Sequence, residues 1–417
     1  MRQSLKALLL IAVLLVPGTV LGSGYAVWEM GTRSSALGGT MTAHPVDASA
    51  IFYNPAGLTS YSGNQLVFNV TGIKPYTEFA GVDPHPGYGT SERLADALFI
   101  LPQAYYSHRV SKSLALGIGF YTPYGLAVEW ENPETFSGRN IATFTDLKTY
   151  FLTPTISWKP SCMFSVGAGL NVVKGEVHLE QALVENLPNP TDVGTAVITG
   201  DSDWSYGFNL GLLVKPHEKV TLGLNYKSKI DLTFNGDADF TPFAGYEAVL
   251  PIDGPAETAL PLPALYSAGL SANLTEKLRA EFNYNFIYWS EFETLELIFY
   301  PGTPVEFSSV IPENYEDSKQ LRLGLEYTHC DKMQLRAGWV RDTSPQPSAT
   351  TGPVLPDANR TGYSIGSGHS IKENIHLDTY MLFLFLDDQE IRDNQDGYNG
   401  DYHSFTYLFG LGLTYNF

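Results

Sequence analysis

The sequence is poor in positive charge, in cysteine and in long apolar runs. Its 417 residues carry 25 Lys and Arg against 44 Asp and Glu, a formal charge of −19. A chain this acidic, with a pI near 4.8, lacks the basic face that phosphate binding requires, so no nucleic-acid partner is expected. Two cysteines, Cys162 and Cys330, are too few to staple a scaffold of this length. They sit in separate short polar turns and are expected to stay unpaired. Beyond the first residues no stretch reaches the roughly 18 apolar residues of a membrane helix. Only 17% of residues are charged while 13% are aromatic, which excludes a disordered chain. What the sequence has in plenty is glycine, 39 residues, with 25 Tyr and 23 Phe. A soluble protein of two or three domains, the usual reading of this length, does not explain that excess.

The chain opens on Arg2 and Lys6, followed by an unbroken apolar run from Ala7 to Val16, then Pro17-Gly18 and the small residues Gly22-Ser23-Gly24. Charged, then apolar, then small is the order of a secretory leader, and we expect a signal peptide over residues 1–22. The apolar run is too short to cross a bilayer as a helix. The alternative is a buried N-terminal helix.

From about residue 64 the pattern has period two. Val220, Leu222, Leu224 and Tyr226 are apolar, and Thr221, Gly223 and Asn225 between them are small or polar. The same holds for Leu278 to Phe286 against Arg279, Glu281, Asn283 and Asn285. It holds again for Leu321 to Tyr327 against Arg322, Gly324 and Glu326. Period two places each apolar set on one face of a strand. Short polar turns recur at Ser111-Lys112-Ser113, Pro160-Ser161-Cys162, His217-Glu218-Lys219, Thr275-Glu276-Lys277, Cys330-Asp331-Lys332 and Lys372-Glu373-Asn374. Between them lie long polar stretches read as loops, among them Ala182 to Ile198, Asn235 to Leu260 and Pro301 to Glu316. Six short turns, with one strand before the first and one after the last, predict 14 strands.

An even number of antiparallel strands, with short turns at one end and long loops at the other, is the layout of a transmembrane β-barrel of an outer membrane. Closure removes the sheet edges that lipid cannot hydrogen-bond. Apolar-out, polar-in alternation also accounts for a mean hydropathy of only −0.08. A soluble sandwich or propeller would alternate too, but it would not combine the leader, the even count and the loop asymmetry. The last strand ends Phe409-Gly-Leu-Gly-Leu-Thr-Tyr-Asn-Phe417, an aromatic alternation that would be an aggregation hazard on a soluble edge.

A barrel of this size encloses more space than its own side chains fill, and many inward positions are glycine: Gly167, Gly211, Gly223, Gly324, Gly338 and Gly412 among them. Residues 23–63 lack sustained alternation and are rich in small residues, so they are expected to form a hatch inside the lumen of a barrel spanning residues 64–417. Taken singly, each glycine reads as relief of a strand bend.

Within the hatch stands Asp47-Ala-Ser-Ala-Ile-Phe-Tyr-Asn-Pro-Ala-Gly-Leu58, which resembles the hallmark of the FadL/TodX family of outer-membrane transporters for hydrophobic compounds. Gly117-Ile-Gly-Phe-Tyr-Thr-Pro-Tyr-Gly125 resembles that family's third-strand segment. Gly138-Arg139, Pro154 to Ile156, Ser165 to Leu170, Leu355 to Ser364 and Leu411 to Phe417 are similar to later parts of it. The resemblance implies a 14-stranded barrel plugged by an N-terminal hatch, with Asn54, Pro55, Ala56 and Gly57 as hatch and gating residues. It implies substrate capture among outer loops, a pocket near the hatch, and lateral exit into the membrane through a kinked third strand bearing Gly117, Gly119, Phe120, Pro123 and Gly125. The residues suit such an opening: Gly117 and Gly119 face inward and leave room for a hatch, and Pro123 and Gly125 prevent a regular ladder just beyond. A strand that simply ends at Pro123 is the plainer reading of the spacing.

A fatty-acid site needs an apolar pocket with one cation for the carboxylate. Arg279, Arg322 and Arg336 face inward and are the candidates; the alternative is that they pair with inward acids such as Glu281 and Glu326. The acidic run Asp387 to Gly397 lacks the order of a calcium loop, no histidine set has metal spacing, and no nucleophile motif is present. No cofactor, no metal and no enzymatic activity are expected. The expected function is passive, ligand-gated uptake of hydrophobic molecules, long-chain fatty acids first. An aromatic-hydrocarbon transporter of the same fold is the alternative, followed by a general porin and by a lipid-hydrolysing barrel. The expected partners are the substrate, outer-membrane lipid and lipopolysaccharide, with the chain a monomer.

Overall fold

The computed structural model describes residues 24–185 and 191–417. The leader expected over residues 1–22 lies outside them. After the hatch, β1 (Gln65–Gly81) is followed by the short β2 (Ser91–Arg93), then β3 (Phe99–Arg109), β4 (Leu114–Tyr121), β5 (Gly125–Glu129) and β6 (Phe144–Trp158). A tall hairpin comes next: β7 (Phe164–Glu185) runs up, and β8 (Thr191–Ser202) with β9 (Ser205–His217) runs back. Pairs of segments then share single staves of the wall. These are β10 (Val220–Lys227) with β11 (Ile230–Pro242), β12 (Gly254–Leu262) with β13 (Leu265–Asn273), β14 (Leu278–Ile287) with β15 (Thr294–Phe299), and β16 (Phe307–Pro312) with β17 (Ser318–Cys330). The wall finishes with β18 (Met333–Asp342), β19 (Arg360–Lys372), β20 (Ile375–Leu386), the short β21 (Gln389–Ile391) and β22 (Gly400–Asn416).

Neighbouring staves pair antiparallel, and the last returns to the first in continuous register, Gln65 opposite Asn416 through Gly81 opposite Gly400. Among the described residues this is a closed barrel of 14 antiparallel strands. Exposure inverts the usual order. Leu222 and Leu224 on the outer face of β10 are 43% and 53% exposed, whereas Asn225 between Leu224 and Tyr226 is 3% exposed. Asn283, Arg322 and Thr71 are buried likewise. Apolar side chains outside and polar ones inside suit a wall with lipid around it and a polar interior.

The long stretches read as loops differ from expectation. β7 and β8 pair almost to their tips, up to Glu185 opposite Thr191, and β11 continues the same sheet to Pro242 beside β8. The β15–β16 hairpin extends another stave. Part of these arms is buried, Ala238, Ala256 and Phe299 packing with Ile198, Phe240 and Leu297, but small and polar residues interrupt the apolar alternation there and weaken the period-two signal.

The hatch contributes the apolar core, with Met30, Ile51, Phe52 and Tyr53 buried. It packs closely because the wall opposite is glycine. A Cβ on Gly223 would collide with the Thr42 carbonyl, and one on Gly338 with the Gly38 amide. Gly167, Gly211, Gly324 and Gly412 face the hatch in the same way.

Candidate functional site

Asn54 leaves a one-turn helix (Ala50–Tyr53) in extended conformation, and Pro55 opens the 3₁₀ turn Pro55–Thr59. The Asn54 Oδ1 accepts from the Ala56 amide at 3.2 Å, capping that turn. Its Nδ2 donates to the Thr42 carbonyl at 2.7 Å and to two wall carbonyls, Leu212 at 3.2 Å and Leu224 at 3.3 Å. The Ala56 carbonyl accepts from Ser157 Oγ at 3.0 Å and Ser165 Oγ at 2.8 Å, and Asn209 Nδ2 donates to the Ile51 carbonyl at 2.8 Å. Gly57 is forced by Pro45, whose ring occupies the space a Cβ would need. The segment Asn54–Gly57 is therefore bolted to β6, β7, β9 and β10.

On the adjoining wall, β4 pairs with β3 from Arg109 opposite Ala115 up to Ala104 opposite Phe120. Above that level β3 continues as Phe99 to Gln103, paired with β1 alone. β4 stops at Tyr121, and after Thr122-Pro123-Tyr124 the chain resumes as β5, which pairs with β6. Among the described residues no ladder joins β3 to β5 until the Ala95 amide donates to the Glu129 carbonyl and Leu94 bridges Trp130. The start of the hatch lies along this interruption, where Ala26 forms a single antiparallel bridge with Tyr124. The Val27 amide donates to the Pro123 carbonyl and the Gly125 amide to the Tyr25 carbonyl, both at 2.8 Å. Gly117 and Gly119 face the hatch, their missing side chains replaced by Ile51 and Leu58 or by Ile51 and Tyr105. Phe120 points outward and stacks on Tyr150.

Hatch and interruption meet at a nearly closed cavity of about 30 Å³ lined by Val27, Trp28, Phe52, Tyr121, Pro123 and Tyr124, with Leu262, Leu265 and Ile287 from the far wall. One cation enters it. Lys227 Nζ lies 3.1 Å from the centre of the Phe52 ring and 5.2 Å from that of Trp28, and no acid is within ion-pairing distance among the described residues.

The three expected arginines stand elsewhere, each beside acids. Arg279 pairs with Glu326 at 3.0 Å, and Arg336 with Glu326 at 2.7 Å and Asp378 at 2.5 Å. Arg322 lies 3.4 Å from Asp342, donates to the Gly38 carbonyl at 2.9 Å and covers the other side of the hatch at Trp28. Glu326 also holds the hatch itself through Arg33 at 2.8 Å. Lys227 was not foreseen. Its parity with Thr221, Gly223 and Asn225 places it inward, but it is the last residue of its strand, just past the alternation that ends at Tyr226.

A family model described as outer membrane protein transport protein (OMPP1/FadL/TodX) matches residues 13–417. The chain belongs to the FadL/TodX family. The long-chain fatty acid transport protein of Escherichia coli K12 is 21% identical over 448 residues, covering 99% of this chain and 98% of that one. Among solved structures, a Pseudomonas aeruginosa FadL homologue superposes with a TM-score of 0.79 at 22% identity, over 96% of this chain and 100% of that one. The Pseudomonas putida toluene transporter TodX gives 0.77 at 19% identity, over 93% and 98%. As a FadL/TodX member the chain is an outer-membrane transporter of hydrophobic compounds and not an enzyme.

Proposed function

We propose that this FadL/TodX barrel takes up long-chain fatty acids by passive, ligand-gated diffusion. One observation carries the choice of substrate: Lys227 projects into an aromatic cavity with no acid beside it among the described residues. An ammonium held against rings and without a counter-ion is costly unless an anion joins it. A fatty acid supplies that anion together with a tail suited to the lining. The cavity touches both the hatch, through Trp28 and Phe52, and the wall interruption, through Tyr121, Pro123 and Tyr124. A ligand entering it has to move the hatch, because the space now open is about 30 Å³. Asn54, Pro55, Ala56 and Gly57 hold the hatch. The segment Gly117 to Gly125, with Phe120 at its lipid face, offers the lateral exit, since a wall without a ladder opens at little cost in hydrogen bonds. In this reading residues 1–22 are a leader, 23–63 the hatch and 64–417 the barrel, acting as a monomer among outer-membrane lipid and lipopolysaccharide.

The second reading is an aromatic hydrocarbon, favoured by the rings that line the same cavity. Equilibrium binding of palmitate and of toluene to the purified protein and to Lys227→Met distinguishes them. Tighter binding of palmitate than of toluene, weakened about tenfold or more in Lys227→Met with toluene unchanged, supports the fatty acid. Tighter binding of toluene, or palmitate binding unchanged in Lys227→Met, refutes it.

A further inference from the structure

One inward step below Lys227, the wall carries a row of polar side chains in continuous cross-strand register. Asn225 on β10 faces Ser267 on β13, Ser267 faces Asn285 on β14, and Asn285 faces Gln320 on β17. All four are at least nine-tenths buried. The row is only half connected. Asn285 Nδ2 donates to Gln320 Oε1 at 2.9 Å. At the other end both amide atoms of Asn225, the hydroxyl of Ser267 and the Oδ1 of Asn285 have no hydrogen-bond partner among the described residues. Buried polar groups are nearly always satisfied, so a cluster of orphans side by side marks a place that something else completes.

Its position indicates what. Asn225 and Lys227 point to the same face of one strand, two residues and therefore about 7 Å apart. The row lies between the aromatic cavity above and the Thr42–Ala43 turn of the hatch, which packs on Gly223 and Gly269 one step further down. Across the other side of β10, Asn225 faces Gly211, and the space above Gly211 is filled by Asn54 and Pro55 of the hatch.

We infer that Asn225 and Ser267 form the seat for the polar head of the substrate, a carboxylate, beneath Lys227. The inference rests on the fatty-acid reading above. Lys227 contributes the charge, while an amide N–H and a hydroxyl contribute neutral donors aimed at the two oxygens, as carboxylate sites usually combine them. A head in this seat lies beside Asn54, so the seat also tells the hatch that the site is filled. A hydrocarbon gains nothing from it.

The test is equilibrium binding of palmitate and hexadecane to the purified full chain in detergent, for the wild type, Asn225→Leu, Ser267→Ala, the double variant and Lys227→Met. The double variant is expected to bind palmitate about tenfold or more weakly and hexadecane unchanged. If Lys227→Met weakens palmitate while the double variant does not, the orphans hold only water, and the seat is refuted with the fatty-acid reading intact. If neither variant changes palmitate binding, both are refuted. Heat-modifiable mobility on a gel reports barrel assembly. Should Asn225→Leu fail to assemble, Ser267→Ala removes a single oxygen and carries the test, with about threefold weaker palmitate binding expected and unchanged binding refuting it.

Discussion

Asn54→Ala removes the most connected side chain of the hatch without touching a lipid-facing residue. The substitution deletes one strong internal bond, to the Thr42 carbonyl at 2.7 Å, and two long bonds to the wall, at 3.2 and 3.3 Å. It also deletes the cap on Ala56 at 3.2 Å. Counting the long wall bonds together as one, and each remaining bond as about 1 kcal/mol, the docked hatch loses roughly 3 kcal/mol. Two of the three lie within the hatch, so this is about a hundredfold in the ratio of the docked, ordered hatch to one both undocked and unravelled. The barrel keeps its ladders, because Leu212 and Leu224 remain paired across β9 and β10. The expected outcome is normal heat-modifiable mobility, a raised ionic leak in planar bilayers and lowered fatty-acid uptake by cells, since an undocked hatch takes Trp28 and Phe52 away from the cavity. Single-channel recording beside an uptake assay measures both. Wild-type conductance together with wild-type uptake in Asn54→Ala would refute the reasoning, and so would a wild-type protein that already behaves as a large ohmic pore.

Other expectations follow from the charges and the rims. Glu326 holds Arg33, Arg279 and Arg336, so Glu326→Gln leaves three guanidinium groups short of a partner and should cost about 3–5 kcal/mol in detergent unfolding, well above Arg33→Ala. Equal costs would show that the cluster is screened by water. Glu313 lies in an outer loop, where burial first and the nearby Asp396 second push its carboxyl up to about 8. The folded loop then binds this proton more tightly than the unfolded chain, so loop stability should fall as pH rises from about 4.5 to 8 and level off above that range. Glu313→Gln should flatten the slope, read as protease protection of the outer loops against pH. Cys162 and Cys330 are free and exposed in short turns, on the rim opposite the long arms. An impermeant maleimide should leave them unlabelled in intact cells and label both once the outer membrane is permeabilised; labelling in intact cells would invert the assigned orientation.

The barrel was legible because period two survives wherever one face of a strand meets lipid and the other the lumen, as in Val220 to Tyr226. It was less legible in the arms above the membrane, where small and polar residues interrupt the alternation and the buried face is only a small cluster around Ala238, Ala256 and Phe299. The inward arginines could be recognised by parity, but parity does not tell which acid each meets. Glu326 gathers three cations from β14, β18 and the hatch, positions up to 293 residues apart in the chain. Lys227 was hidden by its place at a strand end, and the orphan row by its spread over separate staves.

By itself the sequence determined the number of staves, their direction, the plugged lumen and the family, because each of these rests on local alternation, turn chemistry or a contiguous motif. Only the tertiary structure decided which cation stands without a counter-ion, and which polar groups without a partner, among the described residues. Pairing is a property of side chains brought together by barrel closure, and closure joins residues that no local pattern connects.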